Sequence, residues 1–79
     1  MLTKQIVINK TTFKIVPDSR WMRVFKEDKQ IANVVNVAAA RQVIYMEWVK
    51  DYESEQIEVI KLSNDKPRYL YDEDFEVIK

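Results

Sequence analysis

Asn36-Val37-Ala38-Ala39-Ala40-Arg41-Gln42-Val43-Ile44-Tyr45-Met46-Glu47-Trp48-Val49-Lys50 is the stretch where helix and strand readings of this chain collide. Alternation fails in it: Gln42, Ile44, Met46, Trp48 and Lys50 on one side of a strand, and Val43, Tyr45, Glu47 and Val49 on the other, are both mixed. At about 100° per residue, Ile31, Val34, Val35, Ala38, Tyr45 and Val49 gather on one side, and Lys29, Asn33, Asn36, Glu47, Lys50 and Asp51 on the other. Ala38-Ala39-Ala40-Arg41 has the highest local helix propensity in the chain. The β-branched residues between Ile31 and Val37 argue against helix further upstream, and Asn36 is a favoured N-cap. A helix over residues 37–50 is therefore expected, with Ala38, Tyr45, Trp48 and Val49 turned to the core. A start near Lys29 is the alternative.

Upstream, Asn9-Lys10-Thr11 separates Gln5-Ile6-Val7-Ile8 from Phe13-Lys14-Ile15-Val16, the pattern of a hairpin with Asn9 in the left-handed region. Pro17-Asp18-Ser19 closes the second strand, and Trp21-Met22-Arg23-Val24-Phe25 starts a third, with residues 24–32 readable as a further hairpin. Downstream, Asn64-Asp65-Lys66-Pro67 joins residues 57–62 to Arg68-Tyr69-Leu70-Tyr71, read as a second hairpin. The order predicts one α+β domain over residues 1–79, an antiparallel sheet of N-terminal and C-terminal hairpins with one central helix packed on one face. An all-β SH3-like small barrel is the alternative, in which the acidic turn Asp72-Glu73-Asp74 leads into a closing strand over residues 75–78.

With 79 residues there is room for one small core. The apolar fraction of 47 % is that of a folded globular chain rather than a disordered one. The absence of cysteine removes disulfides, thiolate metal sites and thiol catalysis, and the absence of histidine removes the commonest metal ligand and proton carrier near neutral pH. The absence of glycine excludes the phosphate-cradling loops that need backbone approach without a side chain. Carboxylates remain, in two clusters: Asp51, Glu53, Glu55, Glu58 and Asp72, Glu73, Asp74, Glu76. Neither has the spacing of a calcium loop, and both read as solvated turns. No catalytic residue, metal site or cofactor is expected, and the protein is read as not an enzyme. No apolar run reaches 18 residues and no basic segment precedes an apolar one at the start. A membrane span and a signal peptide are therefore not expected, and the chain reads as cytoplasmic.

The formal charge is zero, yet residues 1–30 hold seven basic and three acidic side chains, a balance of +4, and residues 31–79 hold six and ten, a balance of −4. The favoured reading is that the two halves interleave and the asymmetry disappears into ion pairs. Trp21, Tyr52, Tyr69 and Tyr71 with Arg68 are more amphipathic surface than so small a core hides, and with Asp72, Glu73 and Asp74 they form the candidate protein interface. The function expected is non-enzymatic binding of another protein, of the accessory or inhibitory type carried by phages and mobile elements. An edge strand bearing Tyr69 and Tyr71 offers pairing with a second copy, a homodimer. The alternative is nucleic-acid binding through Lys14, Arg20, Arg23, Lys26 and Lys29, interleaved with Phe13, Trp21 and Phe25.

Overall fold

A computed structural model describes residues 2–78. Four strands, β1 (Thr3–Ile8), β2 (Thr11–Asp18), β3 (Trp21–Lys26) and β4 (Lys29–Val34), follow one another as an antiparallel meander. Then come helix α1 (Val37–Ser54), a short helix α2 (Glu58–Ser63), a 3₁₀ turn (Asp72–Asp74) and strand β5 (Glu76–Ile78). β5 returns to the outer side of β1, so the sheet order is β4-β3-β2-β1-β5. This is the expected α+β class, a sheet with one main helix on one face.

The meander turns without glycine. Asn9 and Lys10, the two residues between β1 and β2, both have left-handed φ, 49° and 72°, which matches the right-handed twist of the strands they join. Ser19 at 60° and Glu27 at 54° open the next two turns. Each such L-residue is held against a steric preference of about 1–2 kcal/mol. At the outer edge, β4 begins with the exposed Lys29 and its register against β3 slips between Val24 and Phe25. Both features discourage pairing with another sheet.

Register builds the core face. Ile6 stands opposite Phe13, Ile15 opposite Val24, Val24 opposite Ala32, and Met22 opposite Val34. Onto these α1 lays Ala40, Ile44 and Trp48, spaced four apart and all buried. Leu70 and Phe75 close the layer. Each large side chain so buried stabilises the fold by about 1.5–3 kcal/mol. The start of α1 is fixed locally, because the Asn36 side chain accepts the Ala39 N–H at 2.7 Å and satisfies a donor the first turn leaves free.

Four expectations are corrected. First, α1 runs four residues past Lys50, to Ser54. Second, its buried stripe is Ala40-Ile44-Trp48; Ala38 is exposed, while Tyr45 and Val49 are half-buried. Ile31, Val34 and Val35 turn the apolar side expected from periodicity round the helix, yet Ile31 and Val34 belong to β4 and Val35 to the turn after it. Third, the second hairpin is absent: residues 58–63 are helical and residues 64–71 form no strand. Ile57, Val59, Ile60 and Leu62 follow neither a period of two nor a single helical face, so the segment has no apolar side to lay on a sheet. Consequently Tyr69 and Tyr71 do not lie on an edge strand that could pair with a second copy. Fourth, the sheet is open and not a barrel, although the closing strand imagined for the barrel is present as β5. Among the described residues no helix is long and apolar enough to cross a membrane.

Candidate protein-interaction surface

Beyond α1 the chain forms an arm, residues 55–78, pinned to the body at a few points. Leu70 and Phe75 anchor it in the core, 2 % and 9 % exposed. Asn9, freed for this by its place in the first turn, clamps the backbone of Asp65 from both sides: its Oδ1 accepts the Asp65 N–H at 3.0 Å and its Nδ2 donates to the Asp65 carbonyl at 3.3 Å. The Trp48 indole N–H donates to the same carbonyl at 3.3 Å, which satisfies the polar edge of a buried ring.

Between the two anchors the chain folds on itself. Arg68 grips Asp74 through two bonds of 3.0 Å and donates to the carbonyl of Tyr69, while the Tyr71 N–H donates to Asp74 Oδ2 at 2.8 Å. The Arg68 hydrogen bond, then the Tyr71 N–H, hold the Asp74 carboxyl below its usual pKa, and the bond to Asp74 in turn raises that of Arg68. Asp72 bonds Lys4, which lowers its pKa, and lies 3.6 Å from Arg41. With the backbone fixed in this way, Tyr69 and Tyr71 project outward with ring centroids 4.9 Å apart, tilted at 57°. Arg68, Tyr69, Tyr71, Asp72 and Asp74 are thus brought together, with Glu73 exposed at the tip of their turn.

The other two interface candidates lie elsewhere. Tyr52 sits near the end of α1 with Lys61 over its ring at 5.7 Å. Trp21 opens β3 opposite Asp18, at the far end of β2 from the Asn9 turn, roughly 23 Å away at about 3.3 Å per residue. Four exposed apolar residues of the arm lie outside the interface candidates that the sequence offers. Ile57, Val59, Ile60 and Leu62 are 59, 71, 45 and 75 % exposed, and α2 buries none of its side chains. Their signal was present as four apolar residues in six with no consistent face, a composition without a surface to bury against.

The basic candidates do not form one patch. Lys26 faces α1, where its ammonium bonds Asp51 at 2.9 Å and Glu47 at 3.2 Å. Burial works against its charge, but those bonds outweigh it and the pKa is raised. Arg23 pairs with Asp18 at 2.6 Å. Lys14, opposite Phe25, Arg20 in the second turn and Lys29 at the start of β4 remain. Two bases of the first half therefore meet acids of the second, at Lys4–Asp72 and Lys26–Glu47–Asp51, so the charge asymmetry along the chain is folded into pairs only in part. Among the described residues no three carboxylates converge as a metal site would need.

A cleft of about 380 Å³ opens between β1 and the arm, with Ile6, Ile8, Trp48 and Leu70 along it and Asp65, Lys66 and Arg68 on the arm side. Comparison with protein-family models, with curated proteins and with solved structures finds no match to this chain.

Proposed function

We propose that the protein is a non-enzymatic module that binds another protein through its C-terminal arm. One observation carries this reading: the apolar side chains of α2 stand in solvent, on the same arm as an outward-facing tyrosine pair. A six-residue helix is too short to hold in water by its own hydrogen bonds, and contiguous exposed apolar surface marks places where polypeptides meet. Tyrosine and arginine at Arg68, Tyr69 and Tyr71 supply the side-chain types that carry most affinity in such contacts. A small accessory or inhibitory protein is the class that suits a chain offering surface and little chemistry.

The test uses immobilised protein and nuclease-treated lysate of the cells that produce it. A protein retained by the wild type and lost with Val59→Glu/Leu62→Glu or with Tyr69→Ala/Tyr71→Ala is the expected result. Retention unaltered by both double variants overturns the reading.

A second reading rests on the sheet face that α1 leaves uncovered, where Lys14 and Phe25 stand opposite each other and Trp21 and Arg23 lie on the same side. Aromatic and basic residues on an open sheet suit stacking on single-stranded nucleic acid. It predicts oligonucleotide binding that weakens steeply between about 50 and 200 mM salt and is lost with Trp21→Ala.

A further inference from the structure

β1 is flanked on both sides over only part of its length. β5 lies against Thr3, Lys4 and Gln5, and among the described residues no strand continues past Gln5 on that side. Because Asn9 and Lys10 form a two-residue loop, Ile8 and Thr11 are the hydrogen-bonded pair that closes the hairpin. Antiparallel alternation then directs the backbone N–H and C=O of Ile8, Ile6 and Lys4 to β2, and those of Val7, Gln5 and Thr3 to the other side. The next ladder has the matching phase, since the Thr12 carbonyl points away from β1 and accepts the Glu27 N–H at 2.7 Å. Gln5 and Thr3 meet Glu76 and Ile78 of β5. Val7 meets no strand, and among the described residues no backbone hydrogen bond from the arm reaches it.

The chain itself turns away from that position. Extended backward from Glu76, β5 would set Asp74 opposite Val7. Instead residues 72–74 are wound into the 3₁₀ turn, and Asp74 is committed to Arg68 and Tyr71. The place beside Val7 is the cleft of about 380 Å³, within the range of sites that hold a ligand.

We propose that this cleft receives an extended segment of a partner protein, which adds to β1 in line with β5 and takes its register from the Val7 N–H and C=O. The inference rests on the protein-binding reading and names its mode. The open stretch, Ile6 to Ile8, spans about 10 Å, enough for three guest residues. Guest side chains opposite Ile6 and Ile8 share the core face with Trp48 and Leu70 and are therefore aliphatic. Arg68 is held by Asp74, so Lys66, which makes no ion pair among the described residues, is the cation of the lining that favours an acidic residue in the same segment.

The probe is an end-blocked hexapeptide of alternating valine and glutamate, with a valine and lysine counterpart and an N-methylated version of the first. The acidic peptide should bind at least tenfold more tightly than either control, and at saturation it should slow hydrogen exchange of the Val7 amide at least tenfold. Val7→Pro deletes one outward N–H at a strand edge, where proline is tolerated, and should weaken binding tenfold or more. If that variant does not fold, the N-methylated peptide and the exchange measurement still decide. The proposal is overturned by equal binding of the N-methylated peptide, by unchanged exchange at Val7, or by no binding at millimolar peptide. It is equally overturned if the free protein sediments as a dimer that Val7→Pro dissociates, since a second copy then fills the cleft. Peptide failure with capture still lost in Val59→Glu/Leu62→Glu removes the cleft alone; failure of both removes the binding-module reading as well.

Discussion

The meander with α1, residues 3–54, and the arm, residues 55–78, place their apolar side chains in opposite ways. Eight of the ten buried apolar residues belong to the first region, locked by strand register and the Ala40-Ile44-Trp48 stripe. The arm contributes only Leu70 and Phe75 and leaves Ile57, Val59, Ile60, Leu62, Tyr69 and Tyr71 exposed. Most of the buried core is thus carried by one stretch of the chain and much of its exposed apolar surface by another, and substitutions in the two should behave differently.

The largest effect is expected at Phe13, 1 % exposed at the centre of the sheet. Phe13→Ala should cost about 3–5 kcal/mol in a urea titration, a large share of what a domain of this size has. At the junction with α1, Asn36→Ala removes the cap and should cost about 1 kcal/mol. Acid provides a third contrast. The native pKa values of Asp72 and Asp74 lie below the ordinary 3.8, so what these carboxylates contribute is complete above about pH 4 and is lost as pH falls through the lowered native values. Exchange of the amides of residues 68–74 should therefore accelerate below about pH 4 while the far-ultraviolet signal of α1 persists. Simultaneous loss of both would mean that the two regions are one cooperative unit. The smallest effect is at Leu62, 75 % exposed, where Leu62→Ala should change stability by less than about 0.5 kcal/mol. A cost resembling that at Phe13 would break the contrast outright.

What could be read in the sequence divides along the same line. The cap at Asn36, the start of α1 and the first hairpin were legible because capping and turn chemistry act within a few residues. The buried side of α1 was not, because residues 31–35 were counted with it, although Ile31 and Val34 belong to β4 and Val35 to the turn that follows. Residues 57–62 defeated periodicity, since position 57 and 59 match a strand while 59, 60 and 62 do not. Arg68, Tyr69, Tyr71, Asp72 and Asp74 came together as expected because they are neighbours along the chain. Trp21 and Tyr52 did not join them, and Lys26 was lost to Glu47 and Asp51, because those relations depend on which elements cross. The open position at Val7 follows from β5 being only three residues long, a length no local pattern states.

The glycine-free turns have a consequence for how this chain tolerates change. Asn9, Lys10, Ser19 and Glu27 hold a conformation that costs a side-chain-bearing residue and that glycine adopts freely. Lys10 is exposed at a hairpin tip, so Lys10→Gly should raise stability by on the order of 0.5–1 kcal/mol despite the added freedom of the unfolded chain. The loop tips therefore hold a reserve: a loss the size of a missing helix cap can be absorbed by one substitution that neither the core nor the arm would register.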